Sequence, residues 1–155
     1  VISAHFDHVG ERARAESAKI VMERARQPMS NPAIAVVVGG DFNTFPDAYG
    51  PETYAALAAV GQAEGGMIDV RSAVGVQVYD FGVSGHSWKG WPGEKWCRAE
   101  NVHSHGADRG QDACRFDHLF VQGSAKVRWT GVVEVEEWAV ASDHVPILAE
   151  LCSKQ

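Results

Sequence analysis

Apolar positions along the chain change spacing several times, and each change marks an element. From Gly10 to Gln27 the small and apolar residues Ala13, Ser17, Ile20, Val21 and Ala25 recur every three or four positions. Glu11, Arg12, Glu16, Lys19 and Glu23 occupy positions between them. That period predicts an amphipathic helix with the first set facing inward. Pro28 and the Ser30–Pro32 turn sequence end it. Val1 to His5 reads as a short strand before the helix. Ala33 to Val38 is a continuous apolar, β-branched run, the pattern of a strand covered on both faces. Gly39 and Gly40 then let the backbone turn closely into a loop from Asp41 to Asp47.

Pro51 suits a first helical position and Gly61 a C-terminal stop, with Tyr54, Leu57 and Ala58 as the apolar stripe between them. Met67 to Val70 reads as a further short strand. Over 84–115 the periodicity disappears, which predicts one long irregular loop of the kind that usually carries function. Phe116 to Gln122 resumes as a strand. Lys126 to Trp138 alternates, with Val127/Trp129 and Val133/Val135 as inward pairs, and 141–151 reads as a polar turn and a last strand.

Strands separated by helices in a chain of 155 residues predict a single α/β domain with a real core. No apolar run approaches the length of a membrane span. The opening residues VISAHFDH read as a strand already under way, so a portion of a longer protein is expected. Twenty acidic against 14 basic residues, a net charge of −6, argue against a general electrostatic grip on long nucleic acid. With three cysteines, a Cys97–Cys114 disulfide, free thiols, or a zinc site of Cys97, His103, His105 and Cys114 all stay open, and so does the compartment.

Four strand-end or loop segments carry chemically capable side chains: His5 with Asp7 and His8; Asp41 with Asn43; Asp117 with His118; and Ser142, Asp143 and His144. Strand ends in α/β sheets converge on a crevice from distant parts of a chain. Carboxylates, an amide and neutral imidazoles suit the cleavage of phosphate esters. A hard cation such as Mg²⁺, or Mn²⁺ in its place, takes one or two carboxylates plus substrate oxygens, and an imidazole stabilises charge on phosphate or takes a proton from water.

The segments HFDHVGERARAESA, GGDFNTFPD, CRFDHLFV and ASDHVPILAEL, in this order, resemble the C-terminal half of the endonuclease/exonuclease/phosphatase superfamily. The resemblance spans nearly the whole chain and is weakest over 84–115. It implies a deoxyribonuclease-I-like four-layer α/β sandwich, of which these residues form roughly the C-terminal half. It implies Mg²⁺-dependent hydrolysis of a phosphate ester, in nucleic acid or in a small or single phosphoester toward which the acidic balance moves the reading slightly, with the N-terminal half of the same fold as a partner. That half carries an asparagine and a metal-binding glutamate in family members. It also implies roles by position. Asp41 and Asn43 position water or contact phosphate and metal. His144 is the catalytic histidine, Asp117 the carboxylate that orients it, Asp143 a support for the metal, and His5 a second phosphate-facing histidine.

Plainer readings stand beside these. Asp41 can close a tight turn, Asp117 can cap a strand, and His5 can sit in the core. Asp7 suits acceptance of hydrogen bonds at the following helix start better than catalysis. His118, one residue after Asp117 on a strand, points away from that aspartate's target. Asp69 reads as a loop-orienting carboxylate. Arg12, Arg14, Arg24 and Arg26 interleave with glutamates as on a solvated face, although Arg14 can also anchor the first loop at Asp7. Trp88 and Trp91 form either a substrate rim or local packing in the long loop. An enzyme and a non-catalytic ligand- or partner-binding relative both stay open.

Overall fold

A computed structural model of the chain describes residues 1–31, 34–44, 50–59, 67–73, 75–81, 115–122, 125–133, 142 and 144–153. Strand β1 (Ile2–His5), helix α1 (Glu11–Met29) and strand β2 (Val36–Asp41) form a parallel β–α–β unit. Helix α2 (Pro51–Ala59), the two-residue strand β3 (Ile68–Asp69) and a 3₁₀ turn at Val70–Ser72 follow. Strands β4 (Gln77–Phe81), β5 (Asp117–Gln122), β6 (Ala125–Val133) and β7 (Ile147–Ser153) complete the described elements. One sheet has the order β1-β2-β5-β3 and the other β4-β6-β7. No helix among the described residues is long and apolar enough to cross a membrane.

Two apolar clusters hold these layers together. On one face of the first sheet, Ala18, Met22 and Ala25 of α1 and Leu57 of α2 pack on Val36, Val38 and Phe120. Phe6 and Phe42 join them edge to face at 4.9 Å between ring centroids. On its other face, Val37, Leu119 and Val121 meet Val127, Ala149 and Leu151 of the second sheet. Helices, sheet and sheet are three layers of the α/β sandwich that the sequence leads one to expect.

Several local expectations are corrected. The predicted helix Gly10–Gln27 runs from Glu11 through Met29, and its buried stripe is Arg14, Ala18, Met22 and Ala25. Ile20, expected inside, is 59% exposed, and Ala13 is exposed. The stripe is rotated because Arg14 turns inward, where its Nη1 donates to the Asp7 carbonyl at 3.1 Å. Its apolar stem tolerates that burial, and the guanidinium gains a fixed acceptor. Arg12, Arg24 and Arg26 are solvated as expected.

The glycine pair does not end its strand. β2 continues through Gly39 and Gly40 to Asp41, paired on both edges. Gly40 has φ 144°, and a Cβ there would overlap the Ala4 carbonyl oxygen. The residue must be glycine because β1 and β2 approach too closely for a side chain. In β6 the inward positions are Val127, Thr130 and Val132, and Val133 is only half-buried. An irregularity between Val127 and Trp129 shifts the alternation by one residue. Val135 lies outside the described residues.

Candidate active site

The first sheet sets three of the expected residues in one row. β1 pairs with β2 so that His5 faces Asp41, and β2 pairs with β5 so that Asp41 faces Asp117. Side chains alternate along a strand, so Asp41 shares a face with Val37, and Asp117 with Leu119 and Val121. That face turns toward the second sheet. His5, Asp41 and Asp117 therefore stand side by side across three adjacent strands at the end of the sheet.

The fourth member enters from the segment before β7. The Ser142 hydroxyl accepts from the His144 backbone N–H at 3.0 Å, tightening the turn. His144 Nδ1 then lies 2.7 Å from Asp117 Oδ2. A carboxylate accepts, so Nδ1 donates and Nε2 is left to face the site. His144 Nε2 is 3.7 Å from Asp41 Oδ2, and His5 Nε2 is 3.4 Å from the same oxygen. His144 and Asp117 are partly open to solvent, and His5 is 73% exposed, so it is no core histidine. A cleft of about 360 Å³ adjoins Asp117 and His144, with Leu119, Val145 and Ile147 among its walls.

The Asp41 carboxyl is shifted by its surroundings. Burial raises its carboxyl above the ordinary range, and the neighbouring Asp117 carboxylate adds to the rise. The Asn43 N–H, His144 and His5 offset part of it. The Asn43 backbone N–H reaches Asp41 Oδ1 at 2.8 Å. Asn43 itself has φ 46°, a left-handed conformation that asparagine adopts more readily than most residues. Its side-chain nitrogen donates to the buried Phe6 carbonyl at 2.9 Å, so contact with a ligand would fall to its amide oxygen.

Asp41, Asp117 and His144 offer ligand atoms that all lie within 4.8 Å of one another. Two carboxylates whose charges oppose each other suit a hard divalent cation. The fit is best on the Asp41 side, because Asp117 Oδ2 is engaged by the imidazole.

The remaining expected residues divide as follows. Asp7 Oδ1 accepts from the Val9 N–H at 2.8 Å, just before α1, as its plainer reading has it. That bond and one from Gly10 lower its carboxyl pKa. His118 points away from Asp117 and is buried on the helix side. Asp69 caps the 3₁₀ turn through the Arg71 N–H at 3.0 Å and touches no member of the row. Asp143, Trp88, Trp91, Cys97, His103, His105, Cys114 and the rest of the loop over 84–114 lie outside the described residues. Sequence reasoning missed the enclosed network that joins Asp69, Tyr54, Arg115, His118 and the Thr44 carbonyl. The one available signal was that FDHLF places a histidine on the apolar face of its strand.

No protein-family model matches the chain, and no curated protein sequence matches it. Solved structures do. An endonuclease/exonuclease/phosphatase from Bacteroides vulgatus is 26% identical, with a TM-score of 0.63, covering 96% of this chain and 47% of that one. The mannosyl-6-phosphatase of Bacteroides thetaiotaomicron is 23% identical, with a TM-score of 0.64, over 97% of this chain and 49% of that one. TDP2 of D. rerio, complexed with single-strand DNA product, is 15% identical, with a TM-score of 0.58, over 97% and 55%. The chain thus spans about half the length of the structures it matches.

Proposed function

We propose that this chain, a member of the endonuclease/exonuclease/phosphatase superfamily with its deoxyribonuclease-I-like fold, provides the aspartate- and histidine-bearing part of a phosphate-ester hydrolase. The observation that carries the reading is the convergence of Asp41, Asp117 and His144 from three distant segments within 4.8 Å.

The reaction is hydrolysis by in-line displacement. The oxygen of water bonds to phosphorus while the ester P–O bond opposite it breaks, which inverts phosphorus. The leaving oxygen takes up a proton, and the attacking water gives one up. Asp41, its Oδ1 held by the Asn43 N–H, orients that water through Oδ2 and receives its proton. His144, held through Nδ1 by Asp117, directs Nε2 at the phosphate oxygens and stabilises the charge that grows on them. His5, on the exposed side of Asp41, is a second contact for phosphate. Asp41, with the amide oxygen of Asn43 and with Asp143 beside His144, would hold Mg²⁺ or Mn²⁺. Such a cation offsets charge on the phosphate and on the leaving oxygen.

Substrate class is the finer question. The solved structures include a mannosyl-6-phosphatase and a TDP2 carrying a single-strand DNA product, so both a phosphosugar and an oligonucleotide belong in a test. The native protein is assayed with and without Mg²⁺ on mannose 6-phosphate, single-stranded DNA, sphingomyelin, an inositol phosphate and bis-nitrophenyl phosphate. Asp41→Asn and His144→Ala are expected to lower turnover on the preferred substrate by about 10²–10⁴-fold while leaving the circular dichroism spectrum intact. Full activity in both variants overturns the reading. Binding of a phosphate ester without turnover identifies the non-catalytic relative instead.

A further inference from the structure

Behind the row, on the opposite face of β5, a second set of polar side chains is enclosed. The His118 side chain is fully buried. Its Nε2 lies 2.8 Å from the Thr44 carbonyl oxygen, and its Nδ1 lies 3.1 Å from Asp69 Oδ2. A carbonyl oxygen only accepts, so Nε2 carries a proton and donates it. Asp69 Oδ2 also accepts from the Tyr54 hydroxyl at 2.9 Å and from Arg115 Nη2 at 3.2 Å. The imidazole packs among three rings: Tyr54 in a T-shaped arrangement, Phe120 tilted and Phe42 stacked, with centroids 5.2, 5.8 and 6.4 Å away. The ring is therefore fixed both by its hydrogen bonds and by its aromatic neighbours.

We infer that His118 is a positioning residue: braced by Asp69, it grips the Thr44 carbonyl and so sets the loop bearing Asp41 and Asn43 against the strand bearing Asp117. The chain leaves β2 at Asp41 and bends at the left-handed Asn43. Several hydrogen bonds among the described residues tie that bend to the rest of the fold, one of them from the Thr44 hydroxyl to the Gly50 carbonyl. Phe42 N–H reaches the Phe116 carbonyl at 3.0 Å, and Asn43 Nδ2 reaches the Phe6 carbonyl at 2.9 Å. A further one, from His118 Nε2 to the Thr44 carbonyl, comes from the residue next to Asp117. One strand thus presents Asp117 to the site on one face and holds the far end of the Asp41 loop from the other. A shift of the loop along β5 would alter the spacing between Asp41 and the Asp117–His144 pair. Small displacements of reacting groups are costly in rate.

The catalytic part of this inference rests on the function proposed above, and the test separates the two. In the full chain, His118→Phe keeps a ring among its aromatic neighbours and removes both hydrogen bonds. His118→Gln places an amide nitrogen within reach of Thr44, and His118→Asn is too short to reach it. Three quantities are measured for each: the melting temperature, kcat and KM on bis-nitrophenyl phosphate with Mg²⁺, and the ¹⁵N–¹H resonance of the Asn43 amide, which bonds to Asp41 Oδ1. His118→Phe and His118→Asn are expected to lower kcat by about tenfold to a hundredfold with KM little changed, and to move the Asn43 resonance. His118→Gln is expected to recover much of both. A folded Phe or Asn variant that loses thermal stability yet keeps wild-type kcat and an unmoved Asn43 resonance would overturn the inference. Should the Phe variant not fold, the Gln–Asn comparison decides: recovery in Gln alone supports the grip on Thr44, and equal behaviour of the two sinks it. If the wild-type chain hydrolyses nothing, the proposed function has failed for it, and the Asn43 resonance alone decides the positioning claim.

Discussion

Asp41 Oδ2 and His144 Nε2 stand 3.7 Å apart, although one ends a strand early in the chain and the other precedes the last strand. The separation is too long for a hydrogen bond and short enough for both atoms to address one small ligand. The two side chains are held by different partners. Asn43 N–H fixes one oxygen of Asp41, and Asp117 fixes Nδ1 of His144. Their facing atoms, Asp41 Oδ2 and His144 Nε2, point toward one another, with His5 Nε2 beside the carboxylate oxygen.

The Asp117–His144 pair is expected to act as a unit. Asp117→Asn replaces an acceptor with a group that donates equally well, so the imidazole loses its fixed tautomer and the carboxylate that favours its charged form. kcat is expected to fall by about 10²–10⁴-fold, and the Asp117→Asn/His144→Ala double variant is expected to be little worse than His144→Ala alone. Steady-state kinetics on all three proteins checks this. Additive losses would mean that the two residues serve separate roles.

Cation binding is expected to appear as stabilisation of the native state. Adding Mg²⁺ or Mn²⁺ to metal-free protein should raise the melting temperature in a concentration-dependent way, by about 2.7 kcal/mol of stability at a hundredfold excess over Kd. Chelation should reverse it. Asp41→Asn, which removes a charge from the pair of opposed carboxylates, should abolish the response while leaving the metal-free protein folded. A rise of equal size in the variant would place the cation elsewhere.

Acid stability is expected to depend on Asp69. Burial by itself would raise its carboxyl. The hydrogen bond and charge of His118, the charge of Arg115 and the Arg71 N–H outweigh that and pull it down to about 2 from an ordinary 3.8. A lowered folded-state pKa means that the contribution is present above about 3.8 and disappears as pH falls toward 2. Its size is on the order of 2 kcal/mol. Urea midpoints between pH 5 and pH 2 should drop steeply for the wild type. Asp69→Asn should start lower and show a shallower decline over that window.

Gly40 is expected to tolerate no side chain. In Gly40→Ala the new Cβ meets the Ala4 carbonyl oxygen at a φ of 144° that L-residues rarely adopt. A loss of about 3 kcal/mol or more follows from overpacking and backbone strain together. Chemical denaturation measures it. In the neighbouring Gly39→Ala the close contact is with the movable end of Leu119, the His118 carbonyl lies at ordinary contact distance, and the cost should be distinctly less.

Much of the architecture could be read before any coordinate. The three-and-four spacing after Gly10 announced a helix, the run ending at Val38 announced a buried strand, and the alternation after Lys126 announced another. The resemblance of four short segments to one superfamily also placed His5, Asp41, Asn43, Asp117 and His144 among the candidate groups. What failed did so where a single residue outweighed the pattern. In the sequence Arg14 reads either as part of a solvated face or as an anchor of the first loop; its guanidinium on the Asp7 carbonyl selects the second and puts Arg14 in the buried stripe of the helix. One irregularity near Trp129 moves every later inward position of its strand by one. Gly39 and Gly40 read as a stop because glycine usually breaks a strand, whereas here the strand continues and the close approach of β1 requires glycine at position 40.

By itself the sequence determined which side chains could do chemistry and that they would sit at strand ends, because residue type and hydrophobic period are local properties. Only the tertiary structure decided that His5, Asp41 and Asp117 form one row and that His144 closes on it, because strand register is a relation between segments that no local pattern contains. It also decided the fate of His118 and Asp69. A buried polar group is held by whatever donors and acceptors the packed layers bring within about 3 Å, and that set exists only after the layers have closed.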